Sequence, residues 1–249
     1  MQDKKLQPVW SEEIVIRSFD IDLKNRLKIS SLCNYFQEVA GHHAEHLGLG
    51  FHHMRNAGLV WVLSRLEIAF DQFPAWNDHV TIQTWPTGNE RLYYRREFLV
   101  SDKDGQKLIK AVSFWLLINS QNKRPKILPL PEEVEKQNTK RYVMQAMDET
   151  IPSPAPEETT IIPVRYGDLD INQHVNNVSY VYWITDLFPA DYHYNHVPAF
   201  FRIDFKQEVK NNESVQIIKS RKGNDFIIEG KNCADHKTCF RSFVSFSDI

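Results

Sequence analysis

Hydrophobic and polar positions follow the same order of patterns twice along this chain of 249 residues. In the first half, apolar side chains at helical spacing predict a helix that contains Leu32, Phe36 and Val39. In the second half, a shorter stripe with Val178 and Val181 predicts another helix. Alternating apolar and polar residues after each helix predict antiparallel strands. Each half is therefore expected to form one helix followed by several strands.

The two halves also align segment by segment. Asp22–Leu32 falls on Asp168–Val178 at an offset of 146 residues, and Leu66–Phe73 falls on Phe201–Glu208 at an offset of 135. The shared order of these matches indicates an internal duplication. A central helix wrapped by a curved antiparallel sheet is the hot-dog arrangement. The sequence thus predicts an α+β fold, a tandem or double hot-dog.

A proline-rich and charged segment separates the two predicted units. We expect an N-terminal hot-dog over residues 1–123, a linker with a possible helix over 124–160, and a C-terminal hot-dog over 161–249. Within the linker, Glu132–Met147 favours a connecting helix, and the proline-rich Ile151–Glu158 is expected to be the core of the linker. Side chains expected to cap the two long helices are Ser30 or Ser31, and Asn176 or Asn177.

The candidate chemistry lies in the second half. Asp170, Asn172 and His174 occupy alternate positions directly before the second predicted helix, and Glu208 follows a predicted strand. Because an extended segment from Asp170 to His174 would span about 13 Å, it must curl if the three side chains share a site. At the offsets above, the first half has Lys24, Arg26, Lys28 and Phe73 at these four positions. We therefore expect the chemistry in the second half and acyl-chain binding mainly in the first.

A carboxylate, an amide and an imidazole suit the attack of water on a thioester carbonyl. Glu208 and His174 are candidates to activate the water, either directly or through one another. The Asn172 amide can hold the carbonyl oxygen or orient the water, and Asp170 most simply orients its neighbours.

The start of the second predicted helix supplies candidate oxyanion donors. Backbone N–H groups near Asn176 and Asn177 are expected at its positive end, where they can stabilise an oxyanion.

Composition narrows the alternatives. A formal net charge of −2 gives no support for general attraction to nucleic acid or to a membrane. No apolar run approaches the ~18 residues of a membrane span, and Met1–Pro8 lacks a signal-peptide core. Three cysteines without metal-ligand spacing suggest free thiols in a reducing cytoplasm, and Cys33 is expected in the core. His42 and His46 lie at i and i+4 without an obvious third ligand, so neither a metal nor a cofactor is predicted.

Five segments resemble the plant-type acyl-acyl-carrier-protein thioesterases and their bacterial relatives. In the second half they are Asp168–Tyr180 and Phe205–Glu208. In the first half they are Phe36–Ala40, Trp61–Arg65 and Tyr94–Phe98. The resemblance covers nearly the whole chain, and the segment that begins at Asp168 is highly specific.

The resemblance implies a double hot-dog thiolester hydrolase that releases free fatty acid from acyl carrier protein and so terminates fatty-acid synthesis. By motif position, the family's catalytic network falls on Asp170, Asn172, His174 and Glu208. Plant members commonly have a cysteine just after that glutamate, where this chain has Val209, which favours the water-activating mechanism. The absence of a plastid transit peptide suits a bacterial cytoplasmic enzyme. Both a monomer and a homodimer are compatible with an internal pair of hot-dogs.

Other functions remain open at this point. An acyl-CoA thioesterase is the alternative enzyme, and a non-catalytic acyl-binding hot-dog protein is the alternative from another class. A hot-dog dehydratase fits the residue set less well. Since acyl carrier protein is acidic, we expect it to dock on basic residues near the pocket mouth, although the sequence does not select them.

Overall fold

The computed structural model describes residues 5–248, and the chain divides into two compact units. The described part of the first unit comprises residues 5–64 and 71–146, and that of the second comprises residues 65–70 and 147–248. Residues 1–4, part of the segment Met1–Pro8 in which no signal-peptide core is predicted, and residue 249 lie outside the described residues. Within residues 5–248, no helix is long and apolar enough to cross a membrane.

The first unit sets one long helix against an antiparallel sheet. Its elements are β1 (Trp10–Val15), α1 (Ile29–His46), α2 (Phe51–Asn56), β2 (Leu59–Phe70), β3 (His79–Glu90), β4 (Tyr93–Asp102), β5 (Lys107–Asn119), β6 (Pro125–Lys126) and α3 (Glu132–Asn138). Strands β1, β3, β4, β5 and β6 pair in that order. The apolar stripe of α1 faces the core, where the Phe36 ring stacks on Phe98 at 4.4 Å.

The second unit repeats this plan around a shorter helix. Its elements are residues Arg65–Phe70 of β2, β7 (Glu158–Pro163), α4 (Asn177–Thr185), α5 (Ala190–Asn195), β8 (His196–Phe205), β9 (Ser214–Lys222), β10 (Asp225–Asn232) and β11 (Thr238–Asp248). The antiparallel order is β2, β8, β11, β10, β9, β7. Tyr180 of α4 packs on Phe205 and Phe240 of this sheet.

Helices α1 and α3 differ from the predictions at one end each, whereas the start of α4 is capped as predicted. Helix α1 begins at Ile29 with Lys28 as its N-cap, so neither Ser30 nor Ser31 caps it. Helix α4 has the expected cap, because the Asn176 side chain accepts a hydrogen bond from the Val178 N–H at 2.9 Å. Helix α3 ends at Asn138, well short of the predicted Met147, because the following residues are held against strands of the sheet.

The loop before each long helix corrects the register of the internal repeat. In the first unit, the Asp22 carboxylate accepts hydrogen bonds from the N–H groups of Lys24 and Arg26. In the second unit, Asp170 accepts the same two bonds from residues two and four positions later. A positive φ follows at Asn25 (59°) and at its counterpart Gln173 (64°). The offset is therefore 148, and the predicted offset of 146 is wrong.

The strand register of the repeat was predicted correctly. Leu27 N–H donates to the Pro74 carbonyl, and Val175 N–H donates to the Val209 carbonyl, both at 2.8 Å. The strand segments therefore differ by 135 residues, as expected, while the loops differ by 148. At these offsets, the first-unit counterparts of Asp170, Asn172, His174 and Glu208 are Asp22, Lys24, Arg26 and Phe73.

Buried charges hold the linker by its backbone in the first unit. Arg95 donates from Nη2 to the Met144 carbonyl at 2.8 Å, and Glu97 accepts from the Val143 N–H at 3.0 Å. The two side chains also pair with each other at 2.6 Å. Burial raises the pKa of Glu97, although Arg95 and the Val143 N–H oppose this shift.

The second unit holds the next stretch of the linker in the same manner. Glu67 accepts from the Met147 N–H at 2.9 Å, and Arg202 donates to the Met147 and Glu149 carbonyls at 3.2 and 2.9 Å. Arg241 donates to the Ile151 carbonyl at 3.1 Å. The contacts are made to main-chain groups, so they fix the path of the linker independently of its side chains.

A buried histidine gives the first unit a predictable pH dependence. His43 is fully buried, donates from Nε2 to the Gln7 carbonyl and accepts at Nδ1 from Arg96, so it is neutral. Burial, with the charge of Arg96, lowers the pKa of His43 from 6.5 to about 3. Below pH 6.5 the unfolded chain binds a proton that the folded chain refuses, so stability falls by up to about 1.4 kcal/mol per pH unit.

We therefore expect His43 to account for a loss of about 2 kcal/mol in the free energy of unfolding between pH 7 and pH 5. Urea unfolding of wild type and His43→Gln at both pH values gives the change in the free energy of unfolding between pH 7 and pH 5 for each protein. The difference between these two changes is the contribution of His43. Glutamine keeps a donor and an acceptor but does not titrate, so its pH dependence should be shallower by that amount. An equal pH dependence of the two proteins would show that His43 does not cause the loss of stability.

Candidate active site

The loop before α4 curls tightly, as the shared site required. Asp170 N–H donates to the His174 carbonyl at 2.8 Å, and Gln173 N–H donates to the Asp170 carbonyl at 3.0 Å. An isolated bridge between Leu169 and Val175 closes the base of the loop. The curl replaces the extended span, so residues 170, 172 and 174 lie within one turn.

The Asp170 carboxylate points back into this loop and holds it. Its Oδ1 accepts from the N–H groups of Asn172 at 2.8 Å and His174 at 3.2 Å, and its Oδ2 accepts from the Asn172 side-chain amide at 3.3 Å. Every one of these bonds fixes the backbone or side chain of a neighbouring candidate residue. This geometry gives Asp170 an orienting role.

Backbone pairing brings His174 to Glu208. Residues His174 and Lys210 form an isolated antiparallel bridge next to the Val175–Val209 hydrogen bond. The pairing leaves His174 Nε2 3.5 Å from Glu208 Oε2, with the histidine side chain 24% and the glutamate side chain 48% exposed. Both groups are thus accessible to a water molecule and close enough to exchange a proton after a small rotation.

The two predicted oxyanion donors at the start of α4 differ in whether their N–H groups are already hydrogen-bonded. Asn176 N–H donates to the Asp168 carbonyl at 2.7 Å, and its side chain caps the helix, so Asn176 is committed to the fold. The expectation of an oxyanion donor at Asn176 is therefore wrong. Asn177 is the first residue of the helix, and its N–H has no hydrogen-bond partner in the described chain. Asn177 is the better placed donor of the two.

Tyr180 supports the site from the core, a role that the sequence did not assign. Its side chain is buried and packs on Phe205, three residues before Glu208. Burial raises the pKa of Tyr180, so the phenol is neutral. The available signal was the position of an aromatic residue three after Asn177, on the inner face of the helix.

The residue after Glu208 faces away from the site. The Val209 side chain is fully buried, whereas Glu208 is half exposed, as expected for successive residues of an extended segment. A thiol at position 209 would therefore lie in the core rather than beside the reacting carbonyl.

This orientation predicts the behaviour of a cysteine placed there. We expect Val209→Cys to keep the predicted thioester hydrolysis within about twofold, because the substitution is a small volume change in the core. Its sensitivity to N-ethylmaleimide should match that of the wild type, which already contains three free cysteines. Faster hydrolysis with new inactivation by the reagent would show instead that residue 209 reaches the site.

The three neighbouring histidines of α1 have other partners. His42 contacts Glu12 and Glu38, while His43 and His46 bind the Gln7 backbone. In residues 5–248, no group of three or more His, Cys, Asp or Glu side chains is arranged to hold a metal ion. Cys33 is buried, and burial raises its pKa to about 12, which fits the predicted core position.

Comparison with known families identifies both halves. The model of the acyl-ACP thioesterase N-terminal domain matches residues 7–137, and that of the acyl-ACP thioesterase C-terminal domain matches residues 153–238.

Individual proteins agree. An oleoyl-acyl carrier protein thioesterase of Coriandrum sativum is 28% identical over 85% of this chain, and a palmitoyl-acyl carrier protein thioesterase of Gossypium hirsutum is 29% identical over 84%. The matches span 62% and 54% of the length of these two chloroplastic relatives.

Solved structures show the same fold. An acyl-ACP thioesterase from Bacteroides thetaiotaomicron superposes with a TM-score of 0.83 at 28% identity, covering 96% of this chain and 98% of the other. A 12:0-ACP thioesterase from Umbellularia californica gives a TM-score of 0.83 at 23% identity, covering 98% of each chain. The predicted α+β double hot-dog is thereby confirmed.

Proposed function

The chain belongs to the acyl-ACP thioesterase family, and from this membership we propose that it hydrolyses acyl-acyl carrier protein to free fatty acid. Water adds to the thioester carbonyl, and the carrier's pantetheine sulfur leaves as the thiol. The observation that carries the proposal is the His174–Glu208 pair, 3.5 Å apart beside a loop organised by Asp170. No covalent intermediate is needed, since water itself is the nucleophile.

The pair supplies the proton transfers. His174 and Glu208 together accept the proton that the attacking water loses and return one to the departing sulfur. The two side chains differ in exposure: the half-exposed Glu208 carboxylate meets solvent, while the His174 imidazole lies deeper. A positioned acid–base group of this kind contributes about 10²- to 10⁴-fold to the rate.

The oxyanion is assigned to nitrogen donors. We place the carbonyl oxygen near the Asn172 amide and the Asn177 N–H at the start of α4, where the helix dipole favours negative charge. The Asp170 carboxylate positions Asn172 by accepting hydrogen bonds from the side-chain amide and the backbone N–H of Asn172.

Comparison of the two units supports this assignment. Asp22 of the first unit makes the same backbone hydrogen bonds as Asp170, but Lys24 and Arg26 replace the amide and the imidazole. The aspartate therefore belongs to the turn in both units, and the following polar pair belongs to the chemistry. We accordingly assign catalysis to the second unit and acyl-chain binding mainly to the first. The bacterial cytoplasm stays the predicted compartment.

Release of free thiol from a series of acyl carrier protein thioesters tests the function, with acyl-CoA of the same chains as the comparison. We expect the carrier substrates to be hydrolysed with the higher kcat/KM. A preference for acyl-CoA would replace the proposed substrate. No turnover of any thioester would favour a non-catalytic acyl-binding protein.

A further inference from the structure

Two large apolar side chains protrude beside the catalytic loop. Ile171, between Asp170 and Asn172, is 78% exposed, and Tyr166 is 93% exposed. Tyr166 opens a short 3₁₀ turn, Tyr166–Asp168, which is tied to the start of α4 through the Asp168 carbonyl. Exposed apolar groups that form one patch with a polar rim mark interaction sites, so the charges around these two side chains decide whether they form such a surface.

Three cations lie close in sequence to residues of the candidate site. Lys206 and Lys210 lie two residues before and after Glu208, and Arg165 immediately precedes Tyr166. All three are exposed, and none has a carboxylate partner within residues 5–248. Three of the four other lysines of the second unit are paired: Lys219 with Glu158, Lys231 with Glu229, and Lys237 with Asp235.

Nearby carboxylates are engaged by the backbone instead. Asp168 accepts from the Arg165 N–H at 2.8 Å, and Glu213 accepts from the Lys210 N–H at 2.8 Å. These acidic groups stabilise their own turns. The positive side chains next to them are left to interact with a partner.

The first unit lacks the two lysines, although it keeps an apolar loop residue and has Arg17 as the counterpart of Arg165. Leu23, the counterpart of Ile171, is 49% exposed. Asp71 and Ala75 stand at the positions of Lys206 and Lys210. The two lysines are therefore specific to the unit that carries the proposed chemistry.

We propose that Arg165, Tyr166, Ile171, Lys206 and Lys210 form the docking surface for the acidic face of acyl carrier protein. The inference rests on the proposed function and specifies its partner-binding site. The apolar pair forms the desolvated contact, and the three cations attract and orient the acidic partner. Docking here delivers the pantetheine thioester beside His174 and Glu208.

The test compares one acyl chain on two carriers, acyl carrier protein and N-acetylcysteamine. Exposed charge contacts are individually weak, so Arg165, Lys206 and Lys210 are changed to alanine together. We expect kcat/KM for the carrier protein substrate to fall by roughly tenfold or more, mainly through KM, and its dependence on salt to flatten. The ratio of carrier to small-thioester kcat/KM should fall by nearly the same factor.

Matched controls come from the same chain. Lys103→Ala, Lys107→Ala and Lys222→Ala combined remove equal charge from exposed positions elsewhere and should leave the ratio unchanged. Ile171→Ser should lower the ratio, while Leu23→Ser, at the equivalent loop position of the first unit, should not. Thermal unfolding of each variant checks that the fold is intact.

The outcomes separate the two proposals. Equal losses on both substrates, or no loss on either, would overturn the docking surface while leaving hydrolysis in place. A wild-type protein that hydrolyses N-acetylcysteamine thioesters but not carrier thioesters would overturn the proposed substrate, and the docking surface with it.

Discussion

Replacing Glu208 with glutamine is expected to lower kcat for a carrier thioester by about 10²- to 10⁴-fold. The amide keeps the size of the side chain and its place beside His174, but it cannot accept the proton that water must lose. Because the proposed mechanism has the carboxylate act on the water rather than on the acyl chain, KM should change little. Free-thiol release under saturating substrate measures the effect.

Asp71 provides a matched control for this substitution. It is an exposed carboxylate that follows β2 in the first unit, and its side chain is 49% exposed, compared with 48% for Glu208. Asp71→Asn should therefore keep full activity. Survival of activity in Glu208→Gln would remove Glu208 from the mechanism and leave His174 as the candidate base.

Replacing Asp170 with alanine should lower kcat about a hundredfold, although the side chain need not touch the substrate. Alanine removes the acceptor of the Asn172 and His174 N–H groups, so the curl that presents both side chains relaxes. Displacing a catalytic group by ~1 Å can cost about 10²-fold. Steady-state kinetics on a carrier thioester and on a small thioester should show the same loss.

Asp22→Ala isolates the structural part of this effect. Asp22 makes the corresponding backbone hydrogen bonds in the first unit. Its removal should cost a comparable free energy of unfolding, about 2 kcal/mol for two partly exposed bonds, but little activity. If the two variants lost equal activity, the loop of the first unit would also serve the reaction.

Periodicity predicted the fold because burial imposes it. The stripe containing Leu32 and Phe36 must face a core, and alternating segments must pair into sheets, so both units were foreseeable. The register of the loops could not be predicted, because the identical letters of Asp22-Leu23 and Asp168-Leu169 favour the wrong offset of 146. The structural match is instead the aspartate whose carboxylate binds the next turn, and that hydrogen bonding leaves no periodic signal.

The candidate site was foreseeable only in part, for the same reason. Alternation of Asp170, Asn172 and His174 marked the loop, and Glu208 followed from the strand register. The commitment of Asn176 to the Asp168 carbonyl depends on where the 3₁₀ turn meets the helix. Selecting the docking cations required exposure and pairing, which exist only once the chain is folded.

The backbone contacts of the linker impose a rule on its length rather than on its composition. Carbonyls of Met147, Glu149 and Ile151, at every second residue, meet the buried Arg202 and the partly buried Arg241. Amino acids here can be exchanged because any residue supplies a carbonyl. Deleting one residue would turn these carbonyls away together and take two acceptors from Arg202, which keeps its pair with Asp204, a loss of about 1–3 kcal/mol. Homologous chains should consequently keep the residue count of this stretch and a buried apolar residue at position 151, and vary at the exposed positions.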